Sequence, residues 1–150
     1  MSALLYPVSY RAEHVRTMDL QPAQIWMESG VDLDRLRSLE NVHAYTLMED
    51  GQPLACGGAI PLHAGRAYLW AYLSSRIDAP LFHRVHGWAK SFIRGLPFRR
   101  LEATVDAEFV PGQRWVRALG FVCETPKPIQ AFTVLGRSAM QYALVRTWQS

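Results

Sequence analysis

Few residues in this sequence have types and spacing suited to chemistry. Glu102 and Asp106 fall on alternate positions in and just beyond a strand expected at Arg99–Val105, so both carboxylates project to one side. A carboxylate there is a candidate general base if a proton lies within hydrogen-bond reach and burial tunes its pKa. The plainer use of the same group is an ion pair or an exposed edge position. His43, Tyr45 and Tyr72 are further candidates for moving a proton. His83 and His86 are three residues apart on an expected helix, not the four that suits a two-histidine metal site, so no metal is expected. Cys56 and Cys123 are the two cysteines, too few for a disulfide framework, and are expected as reduced thiols.

These groups need elements to position them. Leu4–Val8 reads as a short strand, and Ser9 as the cap of a helix over Tyr10–Met18. Pro22 opens a second helical stretch carrying Ile25 and Trp26, which Gly30 stops. Leu33, Leu36 and Leu39 mark a third helix. His43–Glu49 alternates, Asp50-Gly51 signals a two-residue hairpin, and Leu54–Leu62 returns. The Gly57-Gly58 pair within it predicts a bulge or a close backbone approach. Arg66–Ser74 is apolar almost throughout, as in a central strand covered on both faces. Asp78 and Pro80 start a helix that Gly95 ends, with Leu81, Val85, Trp88 and Phe92 on its buried face. After the Arg99–Val105 strand, Pro111 begins a short helix ending at Gly120. Strands at Phe121–Glu124 and Ala139–Arg146 complete the chain. The strand–helix–strand unit predicts parallel pairing inside an otherwise antiparallel sheet, a mixed α/β architecture in a single domain over residues 1–150.

The composition sets outer limits. The 150 residues carry 49% hydrophobic and 19% charged side chains, as in ordinary globular proteins. No apolar run approaches the roughly 18 residues of a membrane span, and the start of the sequence does not read as a secretory signal. The net charge of +3 comes from scattered basic residues, of which only Lys90 and Lys127 are lysines, so nucleic acid is not an expected partner. Trp26, Trp70, Trp88 and Trp115 fall at core-compatible spacings. Trp148, near the end of the sequence, is expected to dock on a partner chain.

The element order and the stretch RLEATVDAEFVPGQRWVRALGF resemble the GNAT superfamily, the acetyl-CoA-dependent N-acetyltransferases, over roughly residues 4 to 146. RWVRALGF, Arg114–Phe121, is similar to the helix-and-LGF signature before the last two strands of that fold. A narrower likeness joins YLWAYLSS at Tyr68–Ser75, the helix containing Phe82, TVDAEF and RWVRALGF. It resembles the GNAT-like proteins of tailed phages, which include acetyltransferase-like and internal virion proteins.

The resemblance implies a splayed sheet with flanking helices. It also implies an acetyl-CoA site at Leu73, Ser74, Ser75 and Arg76, with Arg84 nearby, and a general base among Glu102, Asp106 and Tyr72. The sequence departs from the family pattern in three places. The Gly-rich turn that holds the pyrophosphate on backbone N–H groups is replaced by SSRIDAPLFHRV, residues 74–85, which has no glycine and puts Asp78 at the helix start. The Tyr that protonates the departing thiolate is Val116, and the Asn before that helix is Phe109. The expectation is therefore a phage GNAT-fold protein with a degenerate acetyl-CoA site, a virion structural or morphogenesis component with protein partners, located in the virion or host cytoplasm. The alternative is an active N-acetyltransferase with an atypical pyrophosphate turn.

Overall fold

The computed structural model describes residues 4–22, 24 and 33–147. The expected contributions of Ile25, Trp26, Gly30 and Trp148 lie outside these residues. Strand β1 (Leu5–Ser9) leads into α1 (Ala12–Thr17), and α2 is Leu33–Ser38. Ser9 remains in the strand, and Arg11 is the residue that precedes α1. Its backbone N–H donates to His14 Nδ1 at 3.1 Å, and Glu40 accepts from the N–H of Ala12. Strands β2 (Ala44–Glu49), β3 (Gln52–His63) and β4 (Arg66–Leu73) form an antiparallel meander. Its first turn has φ of 51° at Asp50 and 76° at Gly51, the left-handed pair that a two-residue hairpin requires. The bulges sit at Leu47/Met48 and Pro61/His63, away from Gly57-Gly58. Gly58 instead serves close approach. A Cβ there would lie 2.9 Å from His43 O, Ala44 Cβ and Trp70 Cζ2.

Helix α3 (Ala79–Gly95) follows, then β5 (Arg100–Asp106), α4 (Val110–Ala118), β6 (Val122–Cys123) and β7 (Ala139–Val145). The strands form one sheet in the order β1-β2-β3-β4-β5-β7-β6, parallel between β4 and β5 and antiparallel elsewhere. As the sequence predicts, β4 is central. One face packs on α1 and α2 through Tyr10, Val15, Leu36, Cys56 and Tyr72. The other faces α3 and α4, where Val85 joins Leu54 and Leu73, and Ile93 joins Leu101 and Ala103. Trp88 corrects the expected buried face of α3. Val85 and Ile93 define the buried line, and Trp88, on its flank, is 40% exposed.

The parallel ladder between β4 and β5 is short. It joins Arg66 to Arg100, Ala67 to Leu101 and Tyr68 to Glu102, and no further pair follows. Beyond Tyr68 the strands diverge. At the crotch of this fork the Tyr68 and Thr104 hydroxyls meet at 2.5 Å.

Candidate functional site: the fork between β4 and β5

The fork separates the catalytic candidates. Tyr72 and Asp106 each stand four residues past the last paired position, on opposite arms, while Glu102 sits at that position. Glu102 is 5% exposed and accepts from Arg66 Nε and Nη2 at 2.7 and 2.9 Å, and from Arg100 Nε at 2.7 Å. Arg100 continues the chain of charges to Glu124. The hydrogen bond from Arg66 is the main reason the Glu102 carboxyl lies below the usual carboxylate range, although burial opposes it. Asp106 accepts from Arg137 Nε at 2.5 Å and from the Glu108 N–H at 2.8 Å, and the Arg137 bond lowers its pKa similarly. Both carboxylates thus tie strands and the 124–138 loop together through ion pairs. Tyr72 is buried in the α1–α2 core, its ring centroid 6.0 Å from that of Trp70. Val116 packs in the α3–α4 core.

His14, which sequence reasoning did not single out, accepts at Nδ1 from the Arg11 N–H and pairs there with Thr46 Oγ1 at 2.7 Å. Thr46 in turn meets Cys56 Sγ at 3.4 Å. Burial pushes the Cys56 thiol up to about 12, so it is an inert core group.

The turn from β4 to α3 leads to a helix N-terminus, the kind of place where an anion sits, and several of its N–H groups are bonded within the chain. The Ser74 N–H donates to Leu54 O, Ser75 N–H to Asp19 O, Arg76 N–H to Ser74 Oγ and Ile77 N–H to Ser74 O. Asp78 Oδ1 accepts from the Leu81 N–H at 2.9 Å, as the helix cap the sequence predicts, and Pro80 has no N–H to offer. The Ser75 hydroxyl lies 3.2 Å from Asp19 Oδ2. Arg76 reaches Glu49 at 3.5 Å, and Arg84 lies half-buried further along α3. A diphosphate would have to displace these internal acceptors and face the Asp78 carboxylate. These residues do not fit it.

The mouth of the fork is different. An open pocket of about 380 Å³ lies between the two strand ends, lined by Gln21, Pro22, Ser75, Phe109 and Pro111. The Phe109 ring lies so close to Gly112 that a Cβ there would be 2.6 Å from it. Gln24, also unforeseen from the sequence, is buried against the free edge of β4. Its Oε1 accepts from the Leu73 N–H at 2.7 Å, and its Nε2 donates to Ala71 O at 2.9 Å. No local sequence signal marks that contact, since it spans 47 to 49 residues. Among the described residues no cluster of His, Cys, Asp or Glu could hold a metal ion, and no helix is long and apolar enough to cross a membrane.

No known family model matches this sequence, and no curated protein matches it. Solved structures do resemble it. The chain is similar to an acetyltransferase of the GNAT family from Bacillus anthracis, with TM-score 0.67 and 9% identity over 96% of each chain. It is similar to the ribosomal-protein-S18-alanine N-acetyltransferase from Escherichia coli, with TM-score 0.65 and 16% identity over 98% of this chain and 97% of that one. A third is RimL, a ribosomal L7/L12 alpha-N-protein acetyltransferase in complex with coenzyme A, with TM-score 0.66 and 12% identity over 97% and 96%. With its forked mixed sheet and flanking helices, the chain has the fold of the GNAT acetyltransferases.

Proposed function

We propose that this chain is a GNAT-fold protein whose acetyl-CoA site has degenerated, and that it serves as a structural or morphogenesis component of a phage virion through contacts with other proteins. The observation that carries the degenerate-site reading is the β4–α3 turn. The N–H groups of Ser74, Ser75, Arg76 and Ile77 are bonded within the chain, and Asp78 caps the helix by accepting from the Leu81 N–H. The phage assignment rests on the likeness of YLWAYLSS, TVDAEF and RWVRALGF to tailed-phage GNAT-like proteins. Virion or host cytoplasm is the corresponding location. A second reading, an active N-acetyltransferase, is favoured by the fork and the open pocket at its mouth.

Calorimetry with acetyl-CoA separates the two. Asp78 is exposed. A phosphate oxygen about 4 Å away would therefore feel a repulsion between about 1 kcal/mol in water and about 4 kcal/mol at an effective dielectric near 20. Together with the lost cradle, this sets the expected dissociation constant in the millimolar range or weaker. Asp78→Asn with glycines placed in the turn should bind at least about 10-fold more tightly, since Asn retains most of the capping. Micromolar affinity in the unmodified chain overturns the degenerate-site reading and leaves the acetyltransferase.

A further inference from the structure

The fold gathers basic residues that lie far apart in the sequence. Helix α3 carries Arg84, Lys90 and Arg94, α4 carries Arg114 and Arg117, and neither helix holds an Asp or Glu. The whole chain is only +3, so the rest of it is net negative. The helices on the opposite face of the sheet are mixed in sign, with Glu13 and Asp34 among the arginines of α1 and α2. On α3, His83, Gly87, Lys90 and Arg94 recur at helical spacing and are all exposed, so they form one row clear of the buried Val85 and Ile93. The row is about 17 Å long at 1.5 Å per residue. Helix α4 lies beside it, since Trp115 Nε1 donates to His86 Nδ1 at 3.1 Å, and Arg114 and Arg117 are exposed there. Among the described residues no carboxylate pairs with Lys90, Arg94 or Arg114.

We infer that the outer face of α3 and α4 binds the phosphate backbone of a nucleic-acid duplex. A face of cations with no acid of its own complements a polyanion. A duplex presents one phosphate about every 1.7 Å of its axis, so about ten lie within the length of the row. Arginine, the commoner cation on these helices, meets phosphate oxygens with a two-pronged donor fork. The row has no large apolar side chain, the anchor on which a protein interface centres. Nor has it a Trp, Tyr or Phe on which the bases of a single strand would stack. Trp88, the exposed tryptophan of α3, stands on the side of Phe92, off the row. Lys90 and Arg94 occupy the half of α3 far from the β4–α3 turn, so the inference does not depend on the reading of that turn.

The test is fluorescence anisotropy of a labelled 20-base-pair DNA duplex with the full chain. Contacts from Lys90, Arg94, Arg114 and Arg117 set a slope of log affinity against log salt of about −3.6, a loss of about 100-fold between 50 and 200 mM salt. Lys90→Gln with Arg94→Gln should weaken binding at 50 mM salt by at least about 10-fold and bring the slope to about −1.8. Arg11→Gln with Arg37→Gln removes the same charge beside α1 and α2 and should change the affinity by less than about 2-fold. All these side chains are exposed, so both doubles should melt as the unmodified chain does. Should the α3 double melt early, Arg114→Gln on the neighbouring helix replaces it and should lower the slope by about 0.9. Four results each overturn the inference: no binding of the duplex at 50 mM salt, equal weakening by the two doubles, tighter binding of poly-glutamate or a single-stranded 20-mer than of the duplex, or displacement of the duplex by 1 mM acetyl-CoA.

Discussion

Replacing Glu102 by Gln would remove one charge from the base of the fork. Three guanidinium N–H donors, two from Arg66 and one from Arg100, converge on a carboxylate that is 5% exposed. An amide of the same shape accepts with one atom and sets an NH2 group against a donor with the other. Breaking a fully buried pair costs about 3–5 kcal/mol. Here the side chains of Arg66 and Arg100 are 41% and 30% exposed, and Arg100 keeps Glu124, so part of the loss is made up by water and the remaining partner. The expected cost is about 2 kcal/mol. With a slope of about 2 kcal/mol per molar for a chain of this size, the urea midpoint falls by about 1 M at pH 7. The difference must also depend on pH. The folded pKa of Glu102 lies below its unfolded value, so its stabilisation is complete above about pH 4.3 and fades as pH falls toward the folded pKa. Urea titrations of both proteins at pH 7, 5 and 3.5 should show equal gaps at the first two and a narrower gap at the third. A gap under about 0.5 kcal/mol at pH 7, or one that does not narrow in acid, refutes the ion-pair account.

Gly58→Ala should destabilise the domain by about 1–3 kcal/mol in thermal melts, because the new methyl meets His43 O and the Trp70 ring at 2.9 Å and a backbone atom cannot step aside. Burial holds the His14 imidazole below its ordinary pKa, so the unfolded chain binds the proton more readily. Stability should therefore rise with pH through about 6.5, and His14→Gln should flatten that rise in the same melts.

The sequence exposes those parts of the fold that are decided locally. Asp50-Gly51 dictates its turn through backbone preference, and Asp78 with Pro80 marks the start of α3 by the cap that forms. The apolar run at Arg66–Ser74 locates the central strand. Depth and partnership are less accessible. Helical spacing places Trp88 near the apolar stripe of α3 but does not say how far the sheet reaches beneath it. Glu102 reads equally as base or ion pair until Arg66, 36 residues away, is brought beside it by parallel pairing. The missing glycines of the β4–α3 turn are plain in the sequence. That Leu54, Asp19 and Ser74 supply acceptors to the N–H groups of that turn is not, since two of those three come from distant segments.

The short parallel ladder also bears on how the molecule coheres. Strands β1–β4 are knit by antiparallel pairing, as are β5, β7 and β6, but among the described residues only three strand residue pairs join the two blocks. Their union falls to side chains. Helix α3 sets Val85 into the first block and Ile93 among residues of both, Ala59 and Ala67 beside Leu101 and Ala103, and Arg146 after β7 donates to the carbonyls of Ile93, Leu96 and Phe98. The protein is therefore built as two separately woven mats joined by a short ladder, the side-chain pairs Arg66–Glu102 and Tyr68–Thr104, and the helix laid across both, with the segment between Leu96 and Arg99 as the seam where the chain passes from one mat to the other.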